Sequence, residues 1–332
     1  MPAGRLRGSL RGHRPGGWWT VLLAGLALAC SPAGTSAPSG PGATTAPSIG
    51  DPATDKLAQV LDRGTLVLST DLVYPPQSFG VEGATRTPGT RCAGNQLTAA
   101  EVDGFDVETG KAVAAALDVE PCFVVPSWTE ITGGNWGDRW DVSWGSGAIN
   151  ADRMTRLFMT QPYYSDVQRF YVHEDAPYQA ISDLHGKEIG VCASCTHELY
   201  LRGTLEVPGV DVTLKVKDPQ VVTYQAEPPG LQEVADGDID AFLLASPVGE
   251  QAIKDGLPLR ALEEPAFRLF STGFVDRKSG LHATAFVVRI NAIIADLHAD
   301  GTLKALSIRF FGDDLASAAA AFDLASIGQD LP

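Results

Sequence analysis

At 332 residues the chain exceeds one typical domain, so two lobes with ample core are expected, and its 44% hydrophobic and 20% charged content describes a soluble globule rather than a disordered or membrane-spanning chain. A net charge of −15 argues against binding to a phosphate backbone, which draws on clustered lysine and arginine, so no nucleic-acid partner is expected.

Residues 1–29 read as a signal peptide. Arg5, Arg7, Arg11 and Arg14 form a basic start without an acid, and the apolar run from Trp18 to Ala29 is too short to span a bilayer. Leu26-Ala27-Leu28-Ala29-Cys30 is similar to a bacterial lipobox, with Ala27 where leucine usually stands. That similarity implies cleavage before Cys30 and a lipid on it; an ordinary secretory cleavage nearby is the alternative. Ser31 to Pro52 is Pro, Gly, Ser, Thr and Ala with almost no large apolar group, which cannot offset the entropy of ordering, so 30–54 reads as a lipidated flexible tether.

The globule opens near Asp55 with a short helix, KLAQVLDRG, stopped by Gly64. TLVLST at 65–70 is an apolar run rich in strand formers and reads as a buried strand. Residues 71–79 form a rigid loop around Pro75-Pro76, and Gly80 to Asp103, carrying Cys92, reads as an extra surface loop or hairpin. A helix is expected from near Asp106 to Leu117, then a strand at Cys122–Val125. Gly145-Ser146-Gly147-Ala148-Ile149-Asn150, with Arg153 three residues on, is suited to a small anion: glycines let backbone N–H groups face a ligand, and a guanidinium fits a carboxylate bidentately. Cys192-Ala193-Ser194-Cys195-Thr196-His197 sits at a strand-to-helix junction, where free N–H groups also attract an anion. Later elements are a helix at Leu231–Asp236, a strand within Gly237–Leu244, a strand-like run at His282–Val288, and two helices in 289–312 around Asp300-Gly301-Thr302.

Other chemistry lacks its motifs. Asn150 stands where a dinucleotide loop needs its third glycine, no P-loop lysine motif occurs, and Leu201 follows His197-Glu198 where a zinc-protease helix needs histidine. A Gly-X-Ser-X-Gly elbow is also missing from the sequence, so no cofactor is expected.

As an ordered set, Gly104-Phe105-Asp106-Val107-Glu108, Asp141-Val142-Ser143, Asn150-Ala151-Asp152-Arg153, Phe158-Met159-Thr160-Gln161-Pro162-Tyr163 and Asp183-Leu184-His185-Gly186-Lys187 resemble the family 3 solute-binding proteins, the polar amino-acid receptors of bacterial ABC importers. The resemblance runs from about Leu57 to about Asp314. It implies a periplasmic-binding-protein type 2 fold: two α/β lobes, each a mixed sheet flanked by helices, with the ligand cleft between them. Lobe one would comprise 55–172 and 272–332, and lobe two 173–271.

The function it implies is capture, by hinge closure, of a small carboxylate-bearing solute, a polar or cationic amino acid. The receptor would be an exported monomer at the cell surface or in the periplasm, touching the membrane through its lipid anchor only and delivering to ABC permease subunits. In the implied site Tyr74 and Phe79 give an aromatic wall, with Trp128 first and Trp144 second as the sandwiching rings. Gly145, Ser146 and Gly147 form the loop, Arg153 anchors the carboxylate, and Thr196 beside Cys195 closes from lobe two. The acid that in that family usually meets an α-ammonium is replaced by Ala245, so either another acid serves it, or the solute carries no α-ammonium, or its cation lies elsewhere. Because the family's receptors for basic amino acids use an acid in the 71–79 loop, the resemblance implies Asp71 as partner of the solute's positive group. With Cys30 assigned to lipid, Cys92, Cys122, Cys192 and Cys195 remain; of three pairings, Cys92–Cys122 with Cys192–Cys195 keeps each bond within one lobe.

Two alternatives stand beside the receptor. An enzyme similar to aromatic-acid dehydratases of this fold needs a general acid in the cleft, for which Asp71, Glu130 and His197 are the candidates. A thiol oxidoreductase would use Cys192 and Cys195.

Overall fold

The computed structural model describes residues 50–210 and 212–329. The expected signal peptide, Cys30 and most of the tether lie outside these residues. Helix α1 (Lys56–Arg63) is capped by Asp55, which accepts from Ala58 N at 2.8 Å, and ends at Gly64, whose left-handed φ of 69° returns its N–H to Val60 O. Strand β1 (Thr65–Ser69) is buried throughout. The stretch to residue 103 holds short strands β2 (Val73–Tyr74), β3 (Ser78–Gly80), β4 (Leu97–Thr98) and β5 (Val102–Asp103), so the insertion is partly ordered as strand. Helix α2 (Phe105–Ala116), β6 (Glu120–Val124), α3 (Trp128–Gly133), β7 (Val142–Ala148), α4 (Ala151–Met154) and β8 (Leu157–Met159) follow.

The long strand β9 (Tyr164–His173) leads into β10 (Glu188–Cys192), α5 (Thr196–Leu201), β11 (Gln220–Tyr224), α6 (Glu227–Asp236), β12 (Ala241–Ala245), α7 (Ser246–Lys254) and β13 (Leu259–Ala261). Strand β14 (Phe267–Asp276) returns, and α8 (Thr284–Ala299), α9 (Thr302–Phe311) and α10 (Ser317–Ala320) close the chain. Of the run at 282–288, expected as strand, residues 284–288 open α8, while His282 forms an isolated bridge with Asp55. Phe286, Val287, Ile290, Ile293, Ile294 and Leu297 recur every three or four residues, and that helical spacing buries one face against the core, overriding the β-branched bias of the first few residues.

Among the described residues, eleven strands form one mixed sheet whose main path runs β11-β10-β12-β9-β14-β7-β1-β6-β4. Strands β1, β6 and β7 pair in parallel in one half, as do β10, β11 and β12 in the other. The antiparallel pair β9 and β14, registered from Phe267↔Gln168 to Ser271↔Tyr164, joins the two halves. Helices cover both, giving one core of Leu66, Leu68, Phe105 and Val113 with Phe286 and Ile290, and others of Phe170, Ile189, Val191 and Leu243, and of Leu231, Phe242 and Leu244. No helix among the described residues is long and apolar enough to cross a membrane.

Two further features fix the first half. Asp141, 2% exposed, accepts from Val67 N at 2.8 Å, pairs with Lys56 Nζ at 3.2 Å and bonds Arg63, which ties α1 to the sheet. Cys92 is disulfide-bonded to Cys122 and so anchors the insertion to β6, while Cys192 and Cys195 are bonded across the turn that follows β10.

Candidate functional site

A cavity of about 60 Å3 lies where the two halves of the sheet meet. It is several times the space one water needs, and much tighter than a pocket for a drug-sized molecule. The loop after β1 and the first residues of α3 supply Asp71, Tyr74 and Trp128, and β7 supplies Gly145 and Ser146. From the other half come Cys192, Ala193 and Cys195 before α5, and Gln225 and Glu227 at the start of α6. The structure thus gathers six of the expected ligand residues, Asp71, Tyr74, Trp128, Gly145, Ser146 and Cys195, around one space.

Other expected residues stand off it. Trp144, 1% exposed, is a core residue: its Nε1 donates to Thr109 Oγ1 at 2.8 Å and its ring stacks on Tyr163 at 5.0 Å. The ring goes to the side of β7 that α2 covers, where Thr109 receives its N–H. Gly147 packs beneath Phe274, whose ring a Cβ at 147 would strike, and Phe79 pairs with Val73 and Asp103 in the small sheet. Thr196 is buried as the first residue of α5 and does not line the cavity.

The loop at 145–147 is not a free anion nest. Ser146 holds φ at 55°; its N–H donates to the Tyr163 hydroxyl at 3.0 Å and its Oγ to Asp106 Oδ2 at 2.6 Å, while Tyr163 and Tyr164 donate to Asp106 Oδ1 and Ser146 Oγ. Burial pushes Asp106 up to about 7, against the pull of these hydrogen bonds. Ser146 is therefore committed to its own support.

Charge of both signs is left without a partner. Arg153 is 2% exposed; Nη1 donates to Ala148 O at 2.9 Å, Nη2 has no hydrogen-bond partner, and no ion pair reaches it among the described residues. The guanidinium lies 5.1 Å from the Trp128 ring centroid and 5.5 Å from that of Phe274, and burial pulls it down to about 9, so it stays charged at neutral pH. Arg153 does not itself line the cavity, although Trp128, over whose ring it lies, does; Arg153 lines a separate surface space with Asp152, Arg156, Ser194 and Glu198. Glu227, 7% exposed, is pushed up to about 7, chiefly by burial and then by Asp71, and burial also raises Asp71 against a bond from Val73 N. Neither carboxylate has an ion-pair partner among the described residues.

Glu227 and Gln225 are site residues that the sequence reading missed. The signal available was Ala226-Glu227-Pro228-Pro229, where prolines at the first turn mark a helix start, and an acid there reads as a helix-dipole residue. Of the three acids weighed for catalysis, Asp71 alone lines the cavity. Glu130 is half exposed, completes a capping box with Ser127 and pairs with Arg139.

His197 lies behind the disulfide. Its Nε2 donates to Gln168 Oε1 at 2.6 Å, and Gln168 Nε2 donates to Asp166 Oδ1 at 3.0 Å. Nδ1 stands 3.4 Å from both Cys192 and Cys195 sulfurs. Burial and the Arg153 charge push His197 down to about 3, so the imidazole is neutral. Cys192, Cys195 and His197 place donor atoms within 4.8 Å of one another, but with the sulfurs bonded together only the imidazole keeps a strong lone pair for a metal.

Residues 94–313 match the model of the bacterial extracellular solute-binding proteins, family 3. The chain is 28% identical over 262 residues to the L-cystine-binding protein of Escherichia coli (strain K12), covering 78% of this chain and 87% of that one. It is 24% identical over 238 residues to the ABC transporter arginine-binding protein 1 of the same organism, covering 70% and 90%. In fold it is similar to a mutant arginine-binding protein of T. maritima, with a TM-score of 0.63 at 19% identity over 78% of this chain and all of that one. A structure of Tv2483 bound to L-arginine gives a TM-score of 0.66 at 16% identity, covering 80% and 98%. These neighbours share the mixed α/β architecture described above, and the family match spans most of the chain. The chain belongs to the bacterial extracellular solute-binding proteins, family 3.

Proposed function

We propose that the chain is the receptor of an ABC importer and closes on one small amino acid whose positive group faces Asp71 and Glu227. The observation that carries this reading is buried charge of both signs without ion-pair partners among the described residues: the Arg153 guanidinium over the Trp128 ring, just outside the cavity, and two cavity carboxylates held above their ordinary range. A buried charge without a counter-charge is costly, and a zwitterionic or cationic solute relieves it at both ends. Its carboxylate would approach Arg153 from the Trp128 side, and its ammonium or guanidinium would take the place next to the two acids. With Ala245 where an acid would otherwise stand, Asp71 and Glu227 inherit that task. The amino-acid binding of the named relatives supports the solute class, and the antiparallel pair of β9 and β14 supports hinge closure between halves.

Calorimetry against amino acids, quaternary amines and simple organic acids tests it. Saturable binding confined to zwitterionic or cationic amino acids is expected; tight binding of an organic acid without an amine would overturn the assignment. We also infer a lipid on Cys30, which intact-mass measurement of the exported protein checks.

A further inference from the structure

We propose that the Cys192–Cys195 disulfide is a covalent capture site at which small amino-thiols exchange with the protein inside the solute cavity. The proposal rests on the receptor reading for the amine end of the ligand and adds a reaction at its thiol end. Three observations meet here. Both cysteines line the cavity that also holds Asp71 and Glu227, so a solute seated there touches the disulfide. Cys192 is only partly buried and Cys195 is 5% exposed, which makes Cys192 the sulfur within reach. The hydrogen bonds from His197 to Gln168 and from Gln168 to Asp166 fix the tautomer that leaves the Nδ1 lone pair facing both sulfurs at 3.4 Å.

That lone pair is the chemical argument. Disulfide sulfurs have no hydrogen to offer, so among the described residues Nδ1 is a buried acceptor without a donor while the bond is closed. Opening the bond creates an S–H that satisfies it. An interaction present only in the opened state favours opening, as for any disulfide whose reduced form is stabilised. The Cys92–Cys122 disulfide differs in place and in reach: neither sulfur lines the cavity, Cys122 is 0% exposed, and the acceptors facing Cys92 Sγ stand farther off, Pro121 O at 3.6 Å and Glu120 Oε1 at 3.8 Å.

The step balances without an outside oxidant or reductant. The ligand sulfur attacks Cys192 Sγ and forms a new S–S bond. The Cys192–Cys195 bond breaks, its electron pair goes to Cys195 Sγ, and the proton lost by the ligand thiol ends on that sulfur, whose S–H then donates to His197 Nδ1. One thiol is oxidised and one cysteine is reduced. The two acids in the cavity favour a thiol that carries an amine and repel one that carries a carboxylate alone.

The test treats the full chain, purified with both disulfides intact, with cysteamine, L-cysteine or mercaptoacetate, then quenches in acid, caps free thiols with N-ethylmaleimide and maps the peptides. Expected are one ligand on Cys192 and one maleimide on Cys195, an untouched Cys92–Cys122 bond, and reaction with cysteamine roughly tenfold or more faster than with mercaptoacetate. In glutathione buffers Cys192–Cys195 is expected to open at a more oxidising ratio than Cys92–Cys122. Adducts shared equally between the two disulfides, no preference for the amine, or earlier opening of Cys92–Cys122 would overturn the proposal. Titration of the unaltered protein with amino acids that carry no thiol separates it from the receptor reading. If the protein binds such amino acids but forms no adduct with any thiol, capture fails and the receptor stands; if it binds no amino acid at all, the receptor reading fails.

Discussion

The Arg153 guanidinium lies over the Trp128 ring, 5.1 Å from its centroid, and Trp128 in turn lines the solute cavity. The ring thus touches both a buried cation and the cavity, and its own Nε1 has no hydrogen-bond partner among the described residues. A charge kept in apolar surroundings weakens the protein that carries it, and on the receptor reading proposed above an arriving carboxylate offsets that cost.

Replacing that charge should therefore separate stability from binding. Arg153→Met keeps the volume of the stem and removes the unpaired cation, so the solute-free protein is expected to melt a few degrees higher. The affinity for carboxylate-bearing solutes is expected to drop by about 2–5 kcal/mol, the cost of losing one partner of a buried charged pair. Scanning calorimetry and titration calorimetry on one preparation check both halves.

A second expectation concerns pH. Glu227 sits at about 7 in the folded protein against an ordinary 4.5, and Asp71 is raised in the same sense. For a raised carboxyl, the contribution to stability is complete below the ordinary value and is lost as pH climbs through about 7. A cation beside the group favours its ionised form, so affinity for a cationic solute should weaken as pH falls through that same value. Glu227→Gln should flatten the solute-free stability profile across this window and leave binding weaker and less dependent on pH. Titrations in matched buffers read the proton released on binding directly.

A third expectation is structural. Asp141→Ala would strand Lys56, 1% exposed, without its buried counter-charge, and would remove the acceptor of Val67 N. The expected loss is about 3–5 kcal/mol. Urea unfolding should show a lower midpoint with an unchanged slope.

How legible all this was in the sequence depends on the range of the interactions. The apolar run at 65–69 and the glycine stop at 64 are local, and both appear as expected. The run at 282–288 misled because its first residues favour strand, whereas its packing is decided by Ile290, Ile294 and Leu297 further along. The ring at 144 was not separable from the cavity by strand alternation, because Ser146, which that rule puts on the same face, lines the cavity beside Gly145. Nor was Glu227 legible: more than 150 residues separate it from Asp71, and the prolines that follow it explain an acid there without any ligand. Ser146 looked like a free donor because the two groups that occupy it, Tyr163 and Asp106, come from other elements.

Gly147 gives the wall of the site its depth without touching the solute space. Phe274 can rest on the bare backbone at 147, and from there its ring centroid is 6.4 Å from that of Trp128 and 5.5 Å from the Arg153 guanidinium. A single methyl group at 147 would lift Phe274 and carry the displacement through one ring into the other and into the cation beside them. On the receptor reading proposed above, selectivity would rest in part on the thinness of a strand behind the aromatic ring, at a glycine that lies outside the cavity lining.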